Sequence, residues 1–187
     1  MEVMNINKKF IIIFLVTLMF FTYSNNILAK NIDEQIRDIV LESETPFVDK
    51  AMSGITHLGH GGVDFAIASA LPDKKARRDA QKSLLVGGVS VIVLKSIIGQ
   101  KRPPGPIEYN HFTTDSNYHA MPSGHTTTAF ALATSIANHY PKYKYLSYTV
   151  ASLVGISRLY EDVHWASNIV AGAGLGYGSA KFVEYRW

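Results

Sequence analysis

Residues 95–139 read KSIIGQKRPPGPIEYNHFTTDSNYHAMPSGHTTTAFALATSIANH, and this stretch decides the fold. Residues 98–122 are the longest irregular stretch of the chain, and Pro103, Pro104, Gly105 and Pro106 within it cannot continue a helix. The segment 124–139 that follows is apolar and helical in pattern. Working outward, the same pattern recurs at about 51–71 and 83–98 on one side and at 145–158 and 165–180 on the other. Near the N-terminus, Ile32, Ile36, Ile39 and Val40 recur at helical spacing with Asp33, Glu34 and Asp38 between them, an amphipathic helix over 31–42. There is no strand alternation, internal repeat or second domain. The expected fold is all-α, a helical bundle of about five to six core helices with one long loop.

Composition narrows the class. The 187 residues suit a single domain with a helical core. Hydrophobic residues make up 47% and charged residues 18%, the latter below the quarter or so of soluble domains, so part of the surface is apolar. The absence of cysteine excludes disulfides, thiolate metal sites, cysteine nucleophiles and an N-terminal lipoprotein anchor. A net charge of +3 gives no basis for nucleic-acid binding.

Residues 1–29 have the order of an export signal. Lys8 and Lys9 precede the apolar run Phe10 to Phe21, and a small residue, Ala29, stands at a possible cleavage point. An uncleaved first membrane helix is the other reading, and both place the residues that follow, where the 30–187 helical domain begins, outside the cytoplasm. Two signals then conflict on whether the bundle spans a membrane. The uncharged runs Ser83–Leu94 and Trp165–Ala180 fall short of the roughly 20 residues a spanning helix needs. Charge placement points the other way. If helices alternate in direction, Lys74, Lys75, Arg77, Arg78, Lys82, Lys142, Lys144, Lys181 and Arg186 share one side, as cytoplasmic loops do, and the acidic 31–49 stretch lies opposite. Tyr143, Tyr145 and Trp187 near the basic turns fit an interfacial aromatic belt.

Three clusters fall at the other end of this bundle: Lys95 with Arg102-Pro103, Pro122-Ser123-Gly124-His125, and Ser157-Arg158 with His164 and Asn168. Each part suits a phosphoryl group. Lys95, Arg102 and Arg158 neutralise non-bridging oxygens, the arginines with planar, bidentate donors. Ser123 and the amides around Gly124 open a helix, and its free N–H groups attract an anion. His125 and His164 add a nucleophile and a proton donor, which the cations do not supply. A lone Ser-Gly-His or a helix-end arginine means little; three ordered clusters on one expected face mean more.

Lys95 with six residues to Arg102-Pro103, then Pro122-Ser123-Gly124-His125, then Ser157-Arg158 with five residues to His164, resemble the three signatures of the type 2 phosphatidic acid phosphatase superfamily. That group includes lipid phosphate phosphatases, bacterial non-specific acid phosphatases and vanadium-dependent haloperoxidases. The resemblance covers roughly residues 50–180. It implies a helical bundle whose long loop serves the active site, and a phospho-histidine intermediate formed without metal or other cofactor. His164 is then the nucleophile and His125 the general acid, while Lys95, Arg102, Ser123, Gly124 and Arg158 hold the phosphate.

One position departs from the pattern. The superfamily has an aspartate four residues after the nucleophile, where this chain has Asn168, one helical turn on and able to accept a hydrogen bond from the far ring nitrogen. Glu161 and Asp162 are nearby candidates to replace the missing carboxylate. His57 and His60 suggest a metal site only weakly, for want of a third ligand. His111 and His119 are candidates to line the substrate entrance; Tyr109, Phe112 and Tyr118 are either contacts for a leaving group or acyl chain or ordinary surface loop aromatics.

The expected activity is hydrolysis of a phosphomonoester or diphosphate, on a membrane lipid phosphate at the outer face of the bacterial inner membrane. Three alternatives stand beside it: a soluble periplasmic acid phosphatase of broad specificity, a vanadate-dependent oxidation, and a phosphate-binding homologue disabled at Asn168. The sequence names neither the substrate nor the oligomeric state.

Overall fold

The computed structural model describes residues 28–186; the export-signal reading of residues 1–29 falls, up to residue 27, outside the described residues. Seven α-helices follow one another among the described residues: α1 (Leu28–Glu42), α2 (Pro46–Thr56), α3 (Gly61–Ala70), α4 (Lys74–Ile98), α5 (Gly124–His139), α6 (Lys144–Tyr160) and α7 (Ala166–Arg186). Single 3-10 turns sit at His57–Gly59, Ser116–Tyr118 and Pro141–Tyr143. The all-α bundle with one long loop, residues 99–123, is as the sequence implies.

Two expected boundaries differ. The segment 51–71 is broken, not continuous, because Gly59, His60, Gly61 and Gly62 interrupt it. His60 caps α3 by accepting the Gly62 N–H at 3.3 Å, and Gly59 lies so close to α5 that a Cβ there would stand 3.1 Å from His125 Cβ. The basic stretch 74–82 is no turn but the first part of α4. Asp73 caps it, accepting from Ala76 N–H at 2.7 Å, and Lys75 pairs with Asp79 one turn on at 2.9 Å.

Helix α5 is the central element and packs on α4, α6 and α7. Its buried residues are small, among them Ala129, Ala131, Ala133 and Ala137, so neighbouring backbones come close. The approach of α7 is closest. A Cβ at Gly176 would lie 2.2 Å from Thr127 O, and one at Gly172 would lie 2.7 Å from Ser123 O. This pair, one helical turn apart, seats the start of α7 against the start of α5.

Gly99 ends α4 in the left-handed conformation (φ 59°), its N–H bonded to Lys95 O at 2.9 Å. A Cβ there would fall 1.7 Å from Asn110 O. Gly99→Ala is therefore expected to destabilise the protein by about 2–4 kcal/mol, from backbone strain and the displaced loop. An unchanged thermal unfolding midpoint in detergent would contradict this.

The outside of the bundle is apolar. On α4, Leu85, Val89, Ile92 and Val93 are all at least half exposed and form one stripe. Among the described residues α4 is the one helix long and apolar enough to cross a membrane by itself. The N-terminus of α4, the α5–α6 connection and the end of α7 meet at one end, where Asp79 joins His139 at 2.9 Å and Lys181 reaches Asn138 at 3.0 Å. The basic residues named from the sequence gather there. The clusters carrying Lys95, His125, Arg158 and His164 lie at the other.

Candidate active site

Four helix ends build this second region: the last turn of α4 with Lys95, the first turn of α5 with His125, the last turn of α6 with Arg158, and the turn into α7 with His164. The 99–123 loop folds back over them. Gln100 and Tyr109 form an antiparallel bridge, Lys101 N–H donates to Glu108 O at 2.9 Å, and Ala120 N–H returns to Gln100 O at 2.9 Å. This fold brings the His119 carbonyl to the cations: Lys95 Nζ donates to it, and so does Arg102 Nη2 at 3.2 Å. The rings of His111 and His119 are held by backbone carbonyls, Ile97 O at 3.2 Å and Thr113 O at 3.0 Å. Both histidines thus tie the loop down.

Arg102 connects the loop to His164. Its Nη1 donates to Val163 O at 3.0 Å and lies 3.5 Å from His164 Nε2. Arg158 is held from behind, where its Nη1 donates to Thr56 Oγ1 at 2.5 Å and to the Glu161 carboxylate. Its Nε is buried without a protein partner. Thr56, at the end of α2, has no mark in the sequence that would single it out.

Ser123 is fully buried at the start of α5 and accepts from the Thr126 hydroxyl at 3.0 Å. Its own N–H goes to Asn168 O at 3.0 Å and the first helical bond is Thr127 N–H to Ser123 O, so the amides of Gly124, His125 and Thr126 at the head of α5 have no carbonyl in the preceding turn. The His125 ring meets His60 edge-on, with centroids 6.1 Å apart. Neither His57 nor His60 belongs to a metal-type cluster; among the described residues no group of three or more such side chains is placed to hold an ion.

His164 is 4% exposed, and its environment favours the neutral ring. Burial is the first cause, followed by repulsion from Lys95, Arg102 and Arg158; together they hold its pKa well below the ordinary histidine range. Nε2, on the Arg102 side, therefore carries a free lone pair when Nδ1 bears the proton.

The expected orienting bond to Nδ1 is missing. Asn168 Oδ1 lies near enough to favour a protonated imidazole, yet Nδ1 is buried without a hydrogen-bond partner. Asn168 Oδ1 instead accepts the Trp165 N–H at 2.9 Å, and Nδ2 donates to Gln100 Oε1 at 2.5 Å. The backbone donor fixes which atom of the amide is oxygen. Asn168 thus acts as the returning half of a capping box at the head of α7. The candidate replacement carboxylates are also engaged elsewhere: Glu161 with Arg158, and Asp162 with Arg37 at 2.6 Å. Gln100, 2% exposed and joined to Asn168, had no distinguishing sequence signal.

Asn168→Asp keeps the acceptor for Trp165 and adds a charge beside Nδ1. It also puts an oxygen against Gln100 Oε1, so the Gln100 amide must turn over. A gain in kcat of about 10-fold is expected, well below the ~10⁴ by which the reverse change slows serine proteases. Phosphate release by wild type and variant compares them directly, and equal kcat would mean that the orienting bond has no weight here.

A family model described as the PAP2 superfamily matches residues 82–187, more than half of the chain. The chain belongs to the PAP2 superfamily. This PAP2 chain is 30% identical over 166 residues to phosphatidylglycerophosphatase B of Bacillus subtilis, covering 79% of each protein. It is 34% identical over 161 residues to the lipid A 1-phosphatase of Porphyromonas gingivalis, covering 81% of this chain and 34% of that protein; it spans about a third of that longer relative. Two crystal structures share the fold. LpxE of Aquifex aeolicus matches with TM-score 0.70 and 21% identity over 81% of this chain and 93% of that one. The transmembrane PAP2-type phosphatidylglycerolphosphate phosphatase from Bacillus subtilis matches with TM-score 0.61 and 20% identity over 91% and 92%.

Proposed function

We propose that this PAP2 protein is a phosphatase acting on a membrane lipid phosphate through a phospho-histidine intermediate. The observation that carries the reading is His164 Nε2 lying 3.5 Å from Arg102, in a ring held neutral beside Lys95 and Arg158. A neutral nucleophile flanked by three cations suits attack on a phosphate dianion.

In the first step His164 Nε2 forms a bond to phosphorus as the bond to the leaving oxygen breaks. His125, at the head of α5, has its pKa pushed down to about 4 by burial and then by repulsion from Arg158, His60, Lys95 and Arg102; it takes up a proton as the phosphate's negative charge arrives, and gives that proton to the leaving oxygen. In the second step water attacks phosphorus, the P–N bond breaks, and His125 takes the water's proton. Lys95, Arg102 and Arg158 hold the non-bridging oxygens, with Ser123 and the amides of Gly124 and His125 on the helix side. No step calls on a metal or other cofactor.

The lipid substrate is supported by the relatives, one a lipid A 1-phosphatase and one a phosphatidylglycerophosphatase. The exposed apolar stripe on α4 supports membrane embedding. The basic residues at the far end favour an active site facing away from the cytoplasm. A soluble acid phosphatase of broad specificity is the second reading, favoured by there being, among the described residues, one helix long and apolar enough to span.

Phosphate release by detergent-purified protein, with and without chelator, separates these readings. Phosphatidic acid, phosphatidylglycerophosphate, a lipid A 1-phosphate and a soluble aryl phosphate are the substrates to compare. Chelator-resistant release with a lipid preferred is the expected result. A preference for the soluble ester would move the second reading to the front, and loss of activity with chelator would remove the metal-free mechanism.

A further inference from the structure

The first helix is docked in an unexpected sense. The amphipathic pattern of α1 implies apolar residues inward, yet Ile32 is 49% and Ile39 66% exposed, while Asp33 is 4% exposed. The side that faces the protein is mixed, with Asp33 and Arg37 beside the half-buried Ile36 and Val40. Asp33 Oδ1 accepts the Ser167 N–H at 2.8 Å and Oδ2 accepts the Ser167 hydroxyl at 2.6 Å. One turn on, Arg37 Nε and Nη2 donate to the two oxygens of Asp162, each at 2.6 Å. Ser43 Oγ and Tyr160 OH make a third contact at 2.9 Å.

These contacts bracket His164. Asp162 lies two residues before it and Ser167 three after, and each is gripped by a residue more than a hundred positions away. Both grips act where the turn is least secure by itself. Asp162 has a left-handed backbone (φ 50°), which a non-glycine residue holds only when its surroundings require it. At the head of α7 no acidic residue of the helix's own first turn is present, and Asp33 supplies the carboxylate from outside. Between these points His164 has Arg102 near Nε2 and nothing bonded to Nδ1. Asn168 lies beside the ring but makes no bond of good geometry to Nδ1, so the ring's position depends the more on the backbone that carries it.

We propose that α1 is a strap that positions the nucleophile, with Arg37 and Asp33 as positioning residues acting through the backbone on either side of His164. This rests on the phosphatase reading above. Neither residue touches the phosphate-binding cations. Loosening the strap should therefore lower the rate of phosphoryl transfer and leave phosphate affinity alone. A bidentate guanidinium–carboxylate pair is also geometry-dependent, so a lysine at position 37 should replace it only in part.

The test uses the full chain in detergent with phosphatidic acid as substrate and orthovanadate as the binding probe. Arg37→Ala, Asp162→Ala, the double variant, Arg37→Lys and the exchange Arg37→Asp with Asp162→Arg are compared with wild type. Expected is a fall in kcat of about 10-fold in each alanine variant, with KM and vanadate affinity within about twofold. The double variant should be no slower than either single one, because both remove the same contact. Arg37→Lys should lose about threefold, and the exchange should regain most of the rate. Arg37→Lys also keeps the test open if an alanine variant does not fold. Unchanged kcat, losses that multiply in the double variant, or an equal loss of vanadate binding would each overturn the strap. Wild-type activity with unaffected variants would sink the strap alone; an inactive wild type would sink the phosphatase reading and the strap with it.

Discussion

Alanine at His164 is expected to lower phosphate release by about 10⁴-fold or more while the protein still folds and binds orthovanadate. The cations would remain: Lys95 and Arg102 are anchored by the His119 carbonyl, and Arg158 by Thr56 and Glu161. They hold a phosphate but cannot form a covalent bond to it. Removing a buried neutral ring also lessens no positive charge in the cluster, so anion affinity should be kept. Isothermal titration with vanadate beside a phosphate-release assay measures both halves. A variant that still turns over at a tenth of the wild-type rate would mean that water attacks directly and that His164 is not the nucleophile.

His125→Ala should show its effect in proportion to how badly the leaving group needs a proton. With a lipid phosphate, whose leaving oxygen is strongly basic, a loss of about 10²–10⁴ is expected. With a nitrophenyl ester, whose leaving group departs unprotonated, transfer to His164 should be nearly spared. The second step would still lack its base, so phosphoenzyme should accumulate after a burst of nitrophenol. Stopped-flow absorbance follows that burst. Equal losses on both esters without a burst would place His125 among the phosphate-binding groups instead. The ring's position permits the proposed role, since it stands at the head of α5, beside His60 and across from the loop that carries Arg102.

Much of this was legible in the sequence because the information is local. The span of α5 follows from an uninterrupted apolar pattern, and the loop from its prolines. The cations and histidines are recognisable because each sits at a helix end, at fixed spacing from a breaker or a turn. What stayed hidden depends on tertiary contact. The run 51–71 reads as one apolar segment although Gly59, Gly61 and Gly62 mark its break; what no pattern shows is that Val154 and His125 come so close to residue 59 that a Cβ there would clash. Asn168 looked like an orienter of His164, since spacing shows which residue is one turn on but not which donor claims its oxygen. Asn168 Oδ1 accepts the Trp165 N–H and still lies beside the His164 ring, favouring its protonated form. For α1 the periodicity shows the helix but not which side packs: Asp33 and Arg37 turn inward beside the half-buried Ile36 and Val40, because Ser167 and Asp162 offer them partners, while Ile32 and Ile39 stay exposed. Thr56 and Gln100 carry no pattern at all; only folding places them against Arg158 and Asn168.

The most direct test of the central claim is to trap the covalent intermediate. The protein is mixed with nitrophenyl phosphate labelled in its phosphate, in the presence of chelator, quenched in denaturant at alkaline pH where phosphohistidine survives, and mapped by peptide mass spectrometry. The account predicts label on His164 in wild type, more of it in His125→Ala, and none in His164→Ala. Turnover with no label on His164, or label on another residue, would contradict it.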